Sequence, residues 1–153
     1  MIRTKLLALI GTALLCWGTA ALAQTEIMPG VNVANVIRIF ATPDGGSRVE
    51  VLAISPDAKP IPVTSMTASA YAGSGVSSAP DWHTAPRKQF AINMSGALEV
   101  ELTDGTRQHI GSDLVFLEDL TGKGHITRAL GPVTNVFIHV PDDFDIVAWA
   151  AGR

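Results

Sequence analysis

The chain has 153 residues, with 11 Lys and Arg against 14 Asp and Glu, a formal net charge of −3 and 6% aromatic residues. Without a basic cluster, this balance argues against nucleic acid as a partner. The single cysteine, Cys16, excludes an internal disulfide and a cysteine-bound zinc.

Residues 1–23 read as a secretory signal. Arg3 and Lys5 give a basic start, residues 6–15 are apolar, and Ala21-Leu22-Ala23 is a small-x-small cleavage site. The apolar run is shorter than the ~20 residues of a spanning helix, so no stable membrane insertion is expected after cleavage. Leu15 before Cys16 is bulky where a lipidated leader carries a small residue. Cleavage after Ala23 also removes the cysteine. The expected mature chain, 24–153, is periplasmic or secreted and long enough for one domain with a full core.

Within it, short apolar runs alternate with turn signals. Strands are predicted over 31–39 and 48–54, separated by the turn Thr42-Pro43-Asp44-Gly45-Gly46. In the second strand Val49, Val51 and Ala53 share a face. A loop at 55–60 precedes a strand over 65–71, and a Gly/Ser-rich loop extends to Pro80. Strands over 89–94 and 98–102 flank the tight turn Ser95-Gly96. Leu98, Val100 and Leu102 are predicted inward, with Glu99 and Glu101 outward. Asp104-Gly105 is a hairpin turn, from which 106–110 returns antiparallel. A short buried strand at 114–117 and a β-rich run at 133–140 follow. Phe144, Val147, Ala148 and Ala151 have helical spacing and predict a short terminal helix within 142–151. The pattern is that of an all-β sandwich or barrel.

Two segments carry the chemistry. In Trp82-His83-Thr84-Ala85-Pro86-Arg87-Lys88-Gln89-Phe90, the residues His83, Ala85, Arg87 and Gln89 fall at spacing two. On a strand they face one way. Pro86 cannot donate a ladder hydrogen bond, so the strand is expected at an edge or bulged. The second segment, Thr121-Gly122-Lys123-Gly124-His125, lacks the context of a phosphate loop and reads as a turn delivering a histidine. Thr127 shares the face of His125, and Arg128 opposes it.

These residues resemble the cupin superfamily. His83 falls on the first histidine of that family's H-x-H…E…G motif, Ala85 on the second, Gln89 on the glutamate and Gly96 on the glycine. Gly105 fits the start of the second motif. Gly111 and Ser112 stand at its proline and glycine, and His125 is its histidine after an insertion. The likeness is closer to small cupins with W-H-x-A-P-R-R-Q-F, L-S-G and E-D-T-T-G-K-G-H-x-T-R. Here these read 82–90, Met94-Ser95-Gly96 and 118–128. Such proteins often carry D-G-E-S-H-F near the N-terminal strands; this chain has Asp44-Gly45-Gly46-Ser47-Arg48-Val49, with Arg48 at the histidine. The resemblance implies a double-stranded β-helix, a jelly-roll barrel with an internal pocket, and a homodimer. It does not imply a reaction.

A cupin metal centre usually uses three histidines and a glutamate, a set suited to one divalent transition metal such as Fe, Mn, Ni, Cu or Zn. The candidates here are His83, Gln89 and His125, and Gln89 supplies no charge. Without a metal, His83 and His125 form an acid/base or hydrogen-bonding pair. Arg87 is either an anchor for a carboxylate, enolate or phosphate, or the partner of Glu118 or Asp119. Trp82 walls the pocket mouth or belongs to a core or interface. Asp81 pairs with Arg87 or caps a turn, and Lys88 faces away to solvent or a subunit contact. His109 and His139 read as surface or satisfied structural histidines.

The expected function is an exported small-molecule-binding cupin. As an enzyme it would act on a small polar or anionic substrate by isomerase, lyase or dehydratase chemistry. In that reading His83, His125 and Arg87 are catalytic, and Arg87, Gln89, Trp82 and Thr127 bind substrate. The alternatives are a non-catalytic ligand-binding or sensing module and a metal-dependent dioxygenase.

Overall fold

The computed structural model describes residues 34–71 and 81–153. The expected signal segment, the start of the first expected strand and the Gly/Ser-rich loop at 72–80 lie outside the described residues.

Nine strands and one helix are described: β1 Asn35–Ala41, β2 Ser47–Ala53, β3 Ser65–Tyr71, β4 Gln89–Ser95, β5 Leu98–Glu101, β6 Arg107–Ile110, β7 Leu114–Glu118, β8 Ile126–Ala129, β9 Val133–His139 and α1 Ile146–Ala150. They form a six-stranded sheet in the order β2-β1-β7-β4-β9-β3 and a three-stranded sheet in the order β6-β5-β8. Among the described strands only the β1–β7 pairing is parallel. This is an all-β, cupin-like jelly roll with a short C-terminal helix. No described helix is long and apolar enough to cross a membrane.

Strand alternation divides the apolar residues between two cores. Ile37 and Ile39 of β1, Val115 and Leu117 of β7, and Leu98 and Val100 of β5 belong to the core between the sheets. Val36, Phe90 and Phe116 point to the other face of the large sheet, where Val140, Ile146, Phe144 and Trp149 cover them. The uninterrupted apolar run of β7 follows from this, because that strand is covered on both faces. Phe90 and Phe116 meet edge to face at 4.8 Å between ring centroids, and Trp149 lies 5.6 Å from Phe90.

In β2 the alternation is as expected, but the shared face is not uniformly buried. Val49 packs on the inner core, whereas Val51 is exposed. Leu98, Val100 and Leu102 are buried as expected. The Ser95-Gly96 turn does not pair β4 with β5. It passes the chain between sheets, after a register irregularity between Asn93 and Ser95.

The terminal helix is shorter than the apolar spacing suggests, and its buried face is displaced. Ile146 and Ala150 are buried, with Trp149 half-buried, whereas Val147 and Ala151 are exposed. Asp145 sets this phase. Its side chain accepts from the backbone N–H groups of Val147 and Ala148 at 2.9 and 3.0 Å, starting the helix at Ile146.

These bonds, led by that from Ala148, hold the Asp145 carboxyl below the usual carboxylate range. A depressed carboxyl contributes stability above its unfolded pKa of about 3.9, and loses it as pH falls through the folded value. Asp145→Ala is therefore expected to cost about 1 kcal/mol in urea unfolding at neutral pH. The gap from the parent protein should narrow below about pH 4.

Candidate functional site

The 81–88 segment is not a strand. His83 makes a single antiparallel bridge to His125, and regular pairing begins only at Gln89. Pro86 accounts for the break, because it lacks an N–H and restricts Ala85 before it. His83, Ala85, Arg87 and Gln89 all line one cavity of about 430 Å³ between the sheets, together with Pro86, His125 and Thr127.

Two loops meet at the bridge. His83 N donates to His125 O at 3.0 Å, and His125 N donates to His83 O at 2.8 Å. Gly124 permits this approach. It has φ +74°, and a Cβ there would lie 1.9 Å from the His83 carbonyl oxygen. The 44–49 segment supports the same loop. The buried Ser47 Oγ donates to Gly124 O at 2.7 Å, and Lys123 N donates to Gly45 O at 3.0 Å. Arg48 turns instead toward the Ser47 carbonyl and Asp104, away from the cavity lining.

The histidine rings lie side by side, with centroids 4.5 Å apart and planes at 57°. His125 Nδ1 is 2.6 Å from Asp119 Oδ2, and both side chains are buried. The carboxylate thereby fixes one ring nitrogen and leaves Nε2 for other contacts. His83 Nδ1 is 3.0 Å from the Asp81 carbonyl oxygen. A carbonyl only accepts, so Nδ1 donates in this bond.

No protein-family model matches the chain, and no curated protein matches it. Among solved structures it is similar to a crystal structure of ethanolamine utilization protein Q from Salmonella typhimurium LT2, at 14% identity. The match covers 74% of this chain and 100% of that one, with a TM-score of 0.38. At that score the likeness carries no weight for function, and the barrel description rests on the strand order above.

Several expected contacts are corrected. Glu118 does not pair with Arg87; it binds Arg38, which also reaches Glu50 at 2.5 Å. Asp119 is committed to His125. Arg87 is exposed at the cavity rim and forms no ion pair with a described carboxylate. Trp82 does not line the cavity; Lys123 Nζ sits 3.9 Å above its ring. The Asp81 contact with His83 runs through its backbone carbonyl, and no bond to Arg87 is formed. Lys88 is half-buried, donating to Phe144 O at 2.8 Å. Arg128 opposes Thr127 as expected and binds Glu101 at 2.7 Å.

His109 is exposed and lies off the cavity. His139, by contrast, lines the cavity, with Nδ1 2.7 Å from Ser65 Oγ. It is held structurally, as expected, but its place beside the site was missed. The available signal was parity, because an inward Val133 places Asn135, Phe137 and His139 on the same face. The sequence likewise points to Asp119 only as a partner for Arg87, whereas it binds His125.

Among the described residues, no three His, Cys, Asp or Glu side chains converge as metal ligands. Ala85 offers no donor, Gln89 offers a neutral carboxamide, and the nearby Asp119 stands behind His125. Two imidazoles and a carboxamide do not fit a firmly held mononuclear cupin centre.

Gly124→Ala is expected to separate the two loops, since backbone rather than a flexible side chain occupies the Cβ position. The His125 amide should lose protection in hydrogen exchange, and thermal stability should fall, whereas Gly105→Ala meets no neighbouring atom within 4 Å and tests the backbone cost alone.

Proposed function

We propose that the chain binds a small polar or anionic organic molecule in the barrel and moves a proton on it, in isomerase, lyase or dehydratase chemistry. The observation that carries this reading is the buried Asp119–His125 pair, 2.6 Å apart, beside a second imidazole on the same cavity.

In this reading His125 Nε2 is the general base. It removes a proton from carbon next to a carbonyl, and the Asp119 carboxylate stabilises the resulting imidazolium and fixes the ring tautomer. Two imidazoliums side by side would repel, so as His125 takes the carbon-bound proton His83 gives one from Nε2 to the carbonyl oxygen, leaving a single charged ring. Arg87 at the rim binds the carboxylate or developing enolate. Gln89 and Thr127 orient the molecule by hydrogen bonds, and Trp82 supports the loop through Lys123 instead of touching substrate.

A second reading, a binding or sensing module without turnover, is favoured by Ala85 and Gln89 at the second histidine and glutamate of the resembled motif. Periplasmic or secreted location and homodimer formation remain parts of the proposal. The leader sequence supports the first, and the resemblance supports the second.

The test is incubation in D2O with a panel of small oxo- and hydroxy-carboxylates, followed by proton NMR. Loss of a carbon-bound proton signal, or a new product, is expected with the parent protein. His125→Ala should slow it by about 10² to 10⁴-fold, and Asp119→Asn by up to about 10⁴-fold. Arg87→Gln should raise KM more than it lowers kcat. Binding without exchange or product would replace the catalytic reading with the binding one.

Export has its own check. Protein expressed with its leader in a Gram-negative host should appear in the periplasmic or secreted fraction with an intact mass starting at Gln24. An uncleaved chain in the cytoplasm would refute this part.

A further inference from the structure

Across β4, β9 and β3, directly opposed residues form rungs on one face of the sheet. The first rung is Gln89, His139 and Ser65; the second is Ala91, Phe137 and Thr67; the third is Asn93, Asn135 and Ser69. All but Ser65 line the cavity. The chemistry changes along the ladder. The first rung is polar and follows directly from Arg87. The second is apolar at Ala91 and Phe137. The third is polar again, alongside Leu98 and Ile110 of the small sheet.

The third rung is incompletely bonded. Asn93 Nδ2 donates to Ile110 O at 3.2 Å. Among the described residues, Asn135, only 2% exposed, has no partner for Oδ1, and Ser69 Oγ is likewise buried without a partner. A buried polar atom left unpaired is destabilising, and a partner that reaches it is favoured. Asn135 Oδ1 can only accept, while Ser69 Oγ can accept or donate. The group that satisfies both is therefore a hydrogen-bond donor, a hydroxyl or an amide N–H.

Four residues at about 3.4 Å each separate the first and third rungs by about 14 Å. We propose that the third rung is a second subsite and that the cavity takes a two-ended ligand. Its anionic or carbonyl head lies at Arg87, His83 and His125. Its apolar middle lies over Ala91 and Phe137. Its hydroxyl or amide tail donates to Asn135 Oδ1 and Ser69 Oγ. This assignment of the head rests on the functional reading above, whereas the tail subsite rests on the third rung itself.

The experiment is calorimetric titration with ω-hydroxyoctanoate and with octanoate, a pair that differs only in the tail donor. The parent protein is expected to bind the hydroxylated probe about tenfold more tightly, the effect of about 1.4 kcal/mol. Asn135→Leu should bring the ratio to about one. Ser69→Ala, which removes only a hydroxyl from an edge strand, should reduce the ratio severalfold and serves if Asn135→Leu fails to fold. Arg87→Gln should weaken both probes alike and leave their ratio unchanged. Equal binding of the two probes by the parent protein overturns the tail subsite and spares the head. Binding of neither overturns the two-ended ligand. Undiminished binding of both by Arg87→Gln overturns the head assignment and spares the tail.

Discussion

Two short backbone bonds between His83 and His125 hold together loops that are far apart in sequence. Each residue both donates to and accepts from the other, at 2.8 and 3.0 Å. The two imidazoles are neighbours because their main chains are, before any side-chain interaction is considered. Ser47 and Gly45 brace the glycine loop from behind, so the first hairpin of the chain takes part in positioning a ring nearly eighty residues away. Gly124 belongs to the same constraint, since any side chain there would occupy the space of the His83 carbonyl.

That arrangement also sets the local electrostatics. Asp119 follows β7 and is fully buried, with one oxygen on His125 and the other without a partner among the described residues. Burying a carboxylate is costly unless it is bonded, and removing its partner costs more still. Asp119 and His125 therefore form one unit. The neighbouring Glu118 points elsewhere, into the Arg38–Glu50 cluster, because successive strand residues face opposite ways. Two adjacent acids thus have unrelated roles.

The strands were readable because alternation and turn residues agreed along most of the chain, as in Leu98–Glu101 followed by Asp104-Gly105. The helix was read one face away from its buried side, because apolar spacing does not report where an Asp145 cap starts the first turn. Parity places Gln89 within β4, whereas His83 and Arg87 reach the cavity along a non-strand path that also brings Pro86 to it. Asp119 and His139 were not singled out as site residues. The pairing of Asp119 with His125 depends on a loop path, and the place of His139 depends on which strand becomes the neighbour of β4, information that a single strand does not contain. The sequence leaves Trp82 between the pocket mouth and a core or interface; in the structure it stacks under Lys123, off the cavity lining.

The side wall of the cavity belongs to β3, the outermost described strand of the large sheet, which is paired only to β9. An edge strand presents unpaired backbone groups on its free side and is a place where chains join one another. Ser69 and Thr67 reach the cavity from this strand, so a molecule bonded there also fastens the edge to its sheet. In the two-ended complex proposed above, occupancy of the cavity would thereby bear on how readily this edge joins another, through one seven-residue strand.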